Sequence, residues 1–194
     1  MHLFGKLFFL SVLEFFETST RNILAAASAA RVKHHVALSV VGADSIPDSG
    51  YMRAKVAQEK LVEAGGVPYT ILRATQFFEF LAAIAGSGTD TVRIADAPMQ
   101  PLAADDVAAA LADVAVGSPV GGVLEVAGPE SLSMAAFVGQ ALAASGDKRS
   151  VVADPQAQYF GAALDELGLR PRGANPRIAP TRFEAWLSRS ASKV

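Results

Sequence analysis

Three side chains in the first third of the sequence have types and a spacing that suit proton transfer. Tyr51 and Lys55 lie four residues apart in SGYMRAKVAQEKL (49–61), and Ser39 precedes the tyrosine by twelve residues. In a helix, side chains at i and i+4 share a face, so the phenol and the ammonium can converge. The alternative is that both are solvated side chains on an ordinary amphipathic surface.

The chemistry of such a pair follows from the tyrosine pKa. A free tyrosine has a pKa of about 10 and is a poor acid–base catalyst at neutral pH. A nearby ammonium stabilises the phenolate and lowers that pKa towards the working range. A hydroxyl from Ser39 would polarise a carbonyl, so the three residues together predict proton donation to a carbonyl oxygen.

The surrounding sequence predicts the elements that would position these residues. Residues 14–32 have apolar side chains at nearly helical spacing, and HVALSVVG (35–42) is typical of a strand buried on both faces. A helix capped by Asp48 or Ser49 then runs to about residue 64, and VPYTILRAT (67–75) follows as a second buried strand. Helix, strand, helix, strand is the order of a parallel sheet built from right-handed crossovers.

The C-terminal half is more mixed. Its patterns predict strands at 90–95 and 121–130, helices at 104–117, 133–146 and 154–168, and a final helix within 179–189 that includes Trp186. No repeat or linker interrupts the chain, so we expect one α/β domain over residues 1–194. We expect a parallel sheet with helices on both faces and a small C-terminal region.

Composition excludes several classes of function. The formal net charge of −2 provides no basic field for nucleic acid or for an anionic membrane. The absence of cysteine excludes disulfides, thiolate metal sites and a cysteine nucleophile. The three histidines cannot form a conventional zinc cluster without distant carboxylates. We therefore expect no metal, nucleic acid or membrane partner.

Within the first twelve residues, MHLFGKLFFLSV, an apolar run of about seven residues follows Lys6, and Glu14 and Glu17 end it. The run is short for the core of a signal peptide and far too short to span a bilayer. A cytoplasmic location is the expectation.

Several other residues allow two interpretations each. Phe77, Phe78 and Phe80 could line a substrate pocket or pack the core, while Gln76 and Gln100 are pocket candidates by position alone.

Among the charged and imidazole side chains, structural roles are favoured. Arg73, at a strand end, would pair with a carboxylate rather than contact a ligand. Asp105–Asp106 suits helix capping better than acid–base or metal chemistry. His34–His35 stands at a strand entrance, where a structural or exposed role is expected.

The chain resembles a known family at several places in series, over roughly residues 13–190. The stretches STRNILAAASAARVKHHVALSVVGAD, GYMRAKVAQEKL, VPYTILRATQFFEFL, QPLAADDVAAAL and LEVAGPESLSM occur in the order seen in NmrA-like, atypical short-chain dehydrogenase/reductases with an NAD(P)-binding Rossmann fold. The resemblance implies an oxidoreductase that uses NADP or NAD.

The resemblance also implies roles for individual residues. It implies Tyr51 as the acid–base residue, Lys55 as a ligand of the nicotinamide ribose as well, and Ser39 as the active-site serine. The segment RATQFF lies where the family chain passes the nicotinamide and begins the substrate pocket. The implied cofactor contacts are Tyr51, Lys55, Ala74 and Thr75, and the implied pocket residues are Gln76, Phe77 and Phe78.

One family feature is missing from the sequence. Members begin with a strand, a G-x-x-G-x-x-G turn and a helix whose N–H groups hold the pyrophosphate, and this sequence contains no such motif. We expect the chain to correspond to the C-terminal two-thirds of the fold, with weak or no NAD(P)H binding. We also expect self-association through the sheet edge that the first strands would cover.

Two classes of function remain open from the sequence. In the first, the protein is a short-chain-type oxidoreductase that transfers hydride between NAD(P)H and a small carbonyl or related acceptor. In the second, it is a non-catalytic NmrA-like protein that senses nucleotide or binds a partner. Retention of the tyrosine favours the enzyme lineage, whereas the missing glycine-rich turn favours a chain without activity.

Overall fold

The structure is a computed structural model that describes residues 2–86 and 90–191, with side chains described for 12–86 and 90–190. The helices are α1 His2–Ala29, α2 Gly50–Ala64, α3 Leu81–Ala85, α4 Ala104–Val116, α5 Met134–Ala144 and α6 Phe183–Ala191. The strands are β1 His35–Val40, β2 Tyr69–Ala74, β3 Thr91–Ala95, β4 Pro98–Met99, β5 Val123–Ala127, β6 Leu132–Ser133, β7 Ser150–Asp154 and β8 Arg177–Ile178.

The main sheet has four strands in the order β1-β2-β5-β8, and every neighbouring pair is parallel. Strands β1 and β2 pair from His35 opposite Tyr69 to Val40 opposite Ala74. This confirms the predicted parallel pairing of the strands at 35–41 and 67–72, and with it the helical crossover between them.

Helices cover both faces of this sheet. On one face, Ala37 and Ile71 pack against Val62 of α2. On the other face, Leu72 packs in a cluster with Val107 of α4. Because successive side chains of a strand point to opposite faces, both sides of β1 and β2 need apolar residues, which explains their continuous apolar sequence.

Helix α1 is longer than the sequence predicted and packs differently. It spans 28 residues and includes the N-terminal apolar run. Its Leu24 and Ala27 pack with Leu61 of α2 and with Val67 before β2. The predicted packing of this helix on the sheet therefore occurs mainly through α2. Within the described ranges, no helix is both long and apolar enough to cross a membrane.

Strand β1 is an edge strand of the described sheet. The N–H groups of His35 and Val41 donate to Pro68 O and Ala74 O at 2.8 and 2.9 Å, so the odd-numbered residues bond to β2. The backbone groups of Val36 and Leu38 then point to the open side. Among the described strands β1 is therefore an edge, as the sequence predicted for 35–41.

A second core lies beyond the main sheet. Strands β3 and β7 form a parallel pair, and β4 and β6 form an antiparallel pair. The core between them and helices α5 and α6 contains four aromatic rings with neighbouring centroids 4.9–6.5 Å apart, from Phe78, Phe137, Phe183 and Trp186. This body is the small C-terminal region that the sequence predicted.

The prediction of a helix at 154–168 is wrong. The chain leaves β7 and forms turns, with Phe160 at φ 46° and Gly161 at φ 82° between the paired residues Tyr159 and Ala162. Two consecutive positive φ values end any helix and close a tight hairpin instead. Gly168, at φ 57°, breaks the segment again. The helical spacing of its apolar residues was overridden by these turns.

Gly128, which follows β5, lets two backbone segments approach closely. A Cβ atom there would lie 1.8 Å from the carbonyl oxygen of Pro101, while a Cβ at Gly139 in α5 would meet nothing closer than 3.9 Å. Gly128→Ala should therefore lower the free energy of unfolding by roughly 1–3 kcal/mol through overpacking.

The matched control is Gly139→Ala, which should leave stability unchanged or raise it by about 0.5–1 kcal/mol because alanine favours helix. Urea unfolding followed by Trp186 fluorescence measures both variants. Equal stability of the two would contradict the close approach at Gly128.

Candidate active site

Helix α2 carries the tyrosine and the lysine on one face. The Ser49 hydroxyl accepts a hydrogen bond from Met52 N at 3.4 Å and caps the helix, which confirms one of the two predicted caps. From there Tyr51, Lys55 and Glu59 follow one another at intervals of four residues. This face of α2 therefore holds a phenol, an ammonium and a carboxylate in line.

Tyr51 is half exposed and packs edge-on against an aromatic ring of α1. Its side chain is 51% exposed, and its ring centroid lies 6.2 Å from that of Phe16. Burial of the rest of the ring raises the pKa of Tyr51. The sequence predicted that Lys55 lowers this pKa, and the structure does not show that effect. Tyr51 is a neutral phenol at neutral pH.

Lys55 is buried, and its ammonium is held by three groups. Its side chain is 6% exposed, and Nζ donates to Leu38 O at 2.7 Å and to Gln58 Oε1. Nζ also lies 4.9 Å from the centroid of the Phe16 ring, in a cation–π contact. Burial lowers the pKa of Lys55 to about 8, although the Glu59 carboxylate opposes that change. The lysine is thus a buried cation with an unusually labile proton.

The residues that hold Lys55 were missed by the sequence analysis. Gln58 Nε2 donates to Thr20 Oγ1 at 3.4 Å, and Thr20 is itself buried. Phe16 contacts both Tyr51 and Lys55. Only the i+3 spacing of Gln58 from Lys55 was a signal in the sequence, because Phe16 and Thr20 reach the site through the packing of α1 on α2.

Ser39 faces the same helix from the sheet. It lies two residues after Ala37, which packs under α2, so its side chain points to the same face. The side chain is 6% exposed, and among the described residues its Oγ has no hydrogen-bond partner. Lys55 binds the carbonyl of the preceding residue, Leu38. That Ser39, Tyr51 and Lys55 act on one bound molecule stays a prediction.

Arg73 stands opposite Ser39 in the sheet and forms an ion pair with α2. Its Nε and Nη2 donate to Glu59 Oε1 and Oε2 at 2.9 and 2.6 Å, and its Nη1 donates to Asp44 Oδ2 at 3.0 Å. Burial works against ionisation of Asp44, but the Arg73 hydrogen bond and charge outweigh it and lower the pKa of Asp44. The predicted pairing of Arg73 with a carboxylate is confirmed.

The segment after β2 is buried and fixed by the chain at 100–102. Ala74 and Thr75 are each 1% exposed, and the Thr75 hydroxyl donates to Gln100 O at 2.6 Å. Gln76 is 8% exposed, and its Oε1 has no hydrogen-bond partner among the described residues. Ser39 and Gln76 therefore give buried, unpaired polar atoms near the carboxyl ends of neighbouring parallel strands, where open α/β sheets bind ligands. The implied cofactor contacts at Ala74 and Thr75 stay predictions.

The three phenylalanines after Gln76 lie in different surroundings. Phe78 is 1% exposed inside the aromatic core, whereas Phe80 is 57% exposed. Phe77 is partly buried, and its ring centroid lies 5.9 Å from that of Phe80. Packing accounts for Phe78, and a pocket role for Phe77 or Phe78 stays a prediction.

Tyr159 is a further site candidate that sequence reasoning missed. The hairpin between Tyr159 and Ala162 turns its ring towards the second core. Burial raises the pKa of Tyr159 to about 12. A hydrogen bond from the side chain of Gln76 lowers this pKa, and the charge of Tyr51, when ionised, raises it. These interactions place Tyr159 near both Gln76 and Tyr51. No pattern in the sequence indicated it, because the region was predicted to be helical.

Other polar residues have structural roles. His34 Nδ1 donates to Gly117 O at 3.1 Å, and Nε2 lies 2.9 Å from Thr70 Oγ1. Asp106 accepts from the backbone and side chain of Thr181, both at 3.0 Å, rather than capping its own helix. In the part of the chain that the structure describes, no group of three His, Asp or Glu side chains could hold a metal ion.

Comparison with known families gives a match that covers more than half of the chain. A family model described as NAD(P)H-binding matches residues 8–116, which include β1, α2 and β2. No curated protein matches the sequence.

Solved structures share the fold. The NADPH-dependent quinone oxidoreductase QOR2 from Escherichia coli is 20% identical, with a TM-score of 0.65 over 88% of this chain and 72% of that one. Its complex with NADPH matches at 25% identity and a TM-score of 0.56, over 71% of this chain and 50% of that one.

A short-chain dehydrogenase/reductase superfamily protein from Agrobacterium tumefaciens with bound NAD is 19% identical, with a TM-score of 0.61 over 91% of this chain and 71% of that one. These likenesses confirm the Rossmann-like fold class predicted from the sequence.

The depressed pKa of Lys55 makes stability depend on pH. Between about pH 8 and the ordinary lysine value of about 10.4, the unfolded chain keeps a proton that the folded chain has released. The unfolded state then binds more protons, so the free energy of unfolding should rise with pH, by at most about 1.4 kcal/mol per pH unit.

Comparison with Lys55→Met isolates this contribution, because that variant lacks the ammonium. The difference in the free energy of unfolding between Lys55→Met and wild type should change between pH 7.5 and 10. The same difference for Lys60→Met should stay constant, because Lys60 is exposed on the same helix. Urea unfolding at each pH measures it. Parallel curves for the two variants would show that Lys55 is not a buried cation.

Proposed function

Because the chain belongs to the NAD(P)H-binding family, we propose that it acts in hydride transfer between NAD(P)H and a small carbonyl compound or related acceptor. NAD or NADP is the cofactor that this family binds, which agrees with the cofactor predicted from the sequence. The observation that carries the proposal is the buried, unpaired Ser39 Oγ, which faces the helix of Tyr51 and Lys55. A buried hydroxyl without a partner costs about 1–3 kcal/mol, and a substrate oxygen would supply the missing bond.

The residues present fit the nicotinamide–ribose half of the cofactor. Lys55 has a third ammonium proton beyond those given to Leu38 O and Gln58, and it is available to a ribose hydroxyl. Tyr51 lies on the same helix face, and Ala74 ends β2 with Thr75 directly after it, where a nicotinamide would lie. When bound, NAD(P)H supplies the hydride. No glycine-rich turn in this sequence fits the pyrophosphate, so we expect weak nucleotide binding.

Each side chain then has one task. Ser39 donates a hydrogen bond to the substrate carbonyl and polarises it. Tyr51, a neutral phenol in this structure, donates a proton to the oxygen as negative charge develops there. Lys55 holds the ribose through its remaining ammonium proton. Gln76 and Tyr159 lie on the substrate side, where the free Gln76 Oε1 would accept a hydrogen bond from a substrate donor.

A non-catalytic NmrA-like role in nucleotide sensing or partner binding is the second candidate. The orientation of the Lys55 ammonium favours it, because its hydrogen bonds go to Leu38 O and Gln58 and it lies over the Phe16 ring, rather than against the Tyr51 hydroxyl. The two candidates differ in whether Tyr51 is needed for turnover.

Substitution of Tyr51 tests the enzymatic proposal. Tyr51→Phe removes the proton donor and should lower kcat by about 10²–10⁴-fold with little change in NADPH affinity. The turnover measurement uses a chain preceded by a relative's glycine-rich βα segment, with NADPH oxidation followed over a panel of quinones and small carbonyls.

The matched control is Tyr69→Phe, because the Tyr69 hydroxyl binds Gly121 O at 3.2 Å at the opposite end of β2. This variant should retain wild-type turnover. Equal turnover of Tyr51→Phe and Tyr69→Phe would reject the catalytic role and favour the sensing role.

We also propose that two copies of the chain associate through the open edge of β1. The edge-facing backbone groups of Val36 and Val40 can accept another strand, and the side chains around them are apolar. The partner surface is then the same strand of a second copy.

Blocking the edge should abolish this association. Val36→Pro removes an N–H that points away from β2, and proline is tolerated on edge strands. Light scattering should show a monomer for this variant and a larger species for wild type. Val36→Thr keeps the N–H and should behave as wild type, and a monomeric wild-type chain would contradict the proposal.

A further inference from the structure

The Glu59 carboxylate is the nearest anion to the Lys55 ammonium along α2, and yet the two do not pair. They stand at i and i+4, where opposite charges normally attract. The Glu59 side chain is 6% exposed, and both of its oxygens are bound by Arg73 at 2.9 and 2.6 Å. The bidentate arginine fork therefore binds each carboxylate oxygen once and holds the carboxylate against Arg73 of β2.

The Lys55 ammonium binds other groups instead of Glu59. It binds Leu38 O at the open edge of β1 and Gln58 Oε1, and it lies over the Phe16 ring. The same ring contacts Tyr51.

We propose that Arg73 is a positioning residue for Lys55, because its bidentate hold fixes the Glu59 carboxylate against β2 and so keeps Lys55 from forming a salt bridge along α2. The direction of the Lys55 side chain does not depend on the proposed function. Only the consequence for turnover rests on it.

Other charged groups around Lys55 do not offer it a partner. On α1, Glu17 pairs with Arg21 at 3.5 Å on the exposed side of the helix. On β1 the one titratable residue is His35, four residues before Ser39. On α2 the other titratable residues on the face of Lys55 are Tyr51 and Glu59. On β2 Arg73 is a cation. Glu59 is therefore the carboxylate that Lys55 would bind if Arg73 were removed.

The shape of arginine suits this task. Its planar fork satisfies two carboxylate oxygens at once and has a third nitrogen for Asp44, whereas a lysine at this position provides one ammonium. Arg73 thus joins β2, α2 and the loop between β1 and α2, all of which border the candidate site.

The test measures the pKa of Lys55 in the whole chain by the pH dependence of its ¹³Cε chemical shift, with the signal assigned by its loss in Lys55→Arg. In Arg73→Gln, Glu59 is released and should bind Lys55, which raises its proton affinity by about tenfold or more. In Arg73→Gln/Glu59→Gln the Glu59 carboxylate is also removed, while Asp44 is present in both variants, so the proton affinity should return to the wild-type value or fall below it.

The double variant is the control for a merely structural role. If Arg73 only fastens β2 to α2, both variants disturb that contact and the pKa of Lys55 changes equally in the two. Equal values in the single and double variants, or no rise in Arg73→Gln, overturn the proposal. If Arg73→Gln does not fold, Arg73→Lys replaces it in the test. Because one ammonium leaves a carboxylate oxygen of Glu59 free, a smaller rise in the pKa of Lys55 is expected. An unchanged pKa of Lys55 overturns the proposal.

The turnover assay separates this inference from the proposed function. If both hold, Arg73→Gln lowers kcat at neutral pH and the added Glu59→Gln restores it. If the pKa of Lys55 changes as expected but no version of the chain oxidises NADPH, the positioning role stands and the proposed function fails. If turnover depends on Tyr51 but the Lys55 pKa is unchanged in Arg73→Gln, the proposed function stands and the positioning role fails.

Discussion

The buried ammonium of Lys55 is the constraint on which the arrangement of the site depends. A charge removed from water must be paired or hydrogen-bonded, and here the bonds come from three elements: Leu38 O of β1, Gln58 of α2 and the Phe16 ring of α1. Satisfying one cation therefore fixes α1 and α2 relative to the strand that bears Ser39. The incomplete compensation leaves Lys55 with a pKa of about 8.

A second buried charge pair completes this frame. Arg73 and Glu59 join the neighbouring strand β2 to α2, and the two ion centres lie on either side of the sheet position occupied by Ser39. Replacing both partners of such a pair with neutral groups is often tolerated, whereas removing one leaves an unpaired buried charge. The polar frame under α2 therefore contributes more to the orientation of side chains than to net stability.

The open edge of β1 also takes part in the candidate site. Lys55 binds a carbonyl of that edge, so a strand added there would compete for the same oxygen. The proposed catalytic face and the proposed assembly surface would then share one backbone group.

The sequence by itself determined β1, α2 and β2, their parallel pairing and the shared helix face of Tyr51 and Lys55, because these follow from local apolar spacing, capping and the i, i+4 rule. Only the tertiary structure decided the contacts of Phe16 and Thr20, the direction of the lysine and the nearness of Tyr159. Those depend on contacts between residues far apart in the chain, and on turns such as that at Phe160–Gly161, which overrode a helical pattern. Local rules place a side chain on a face, whereas long-range packing decides which atom it binds.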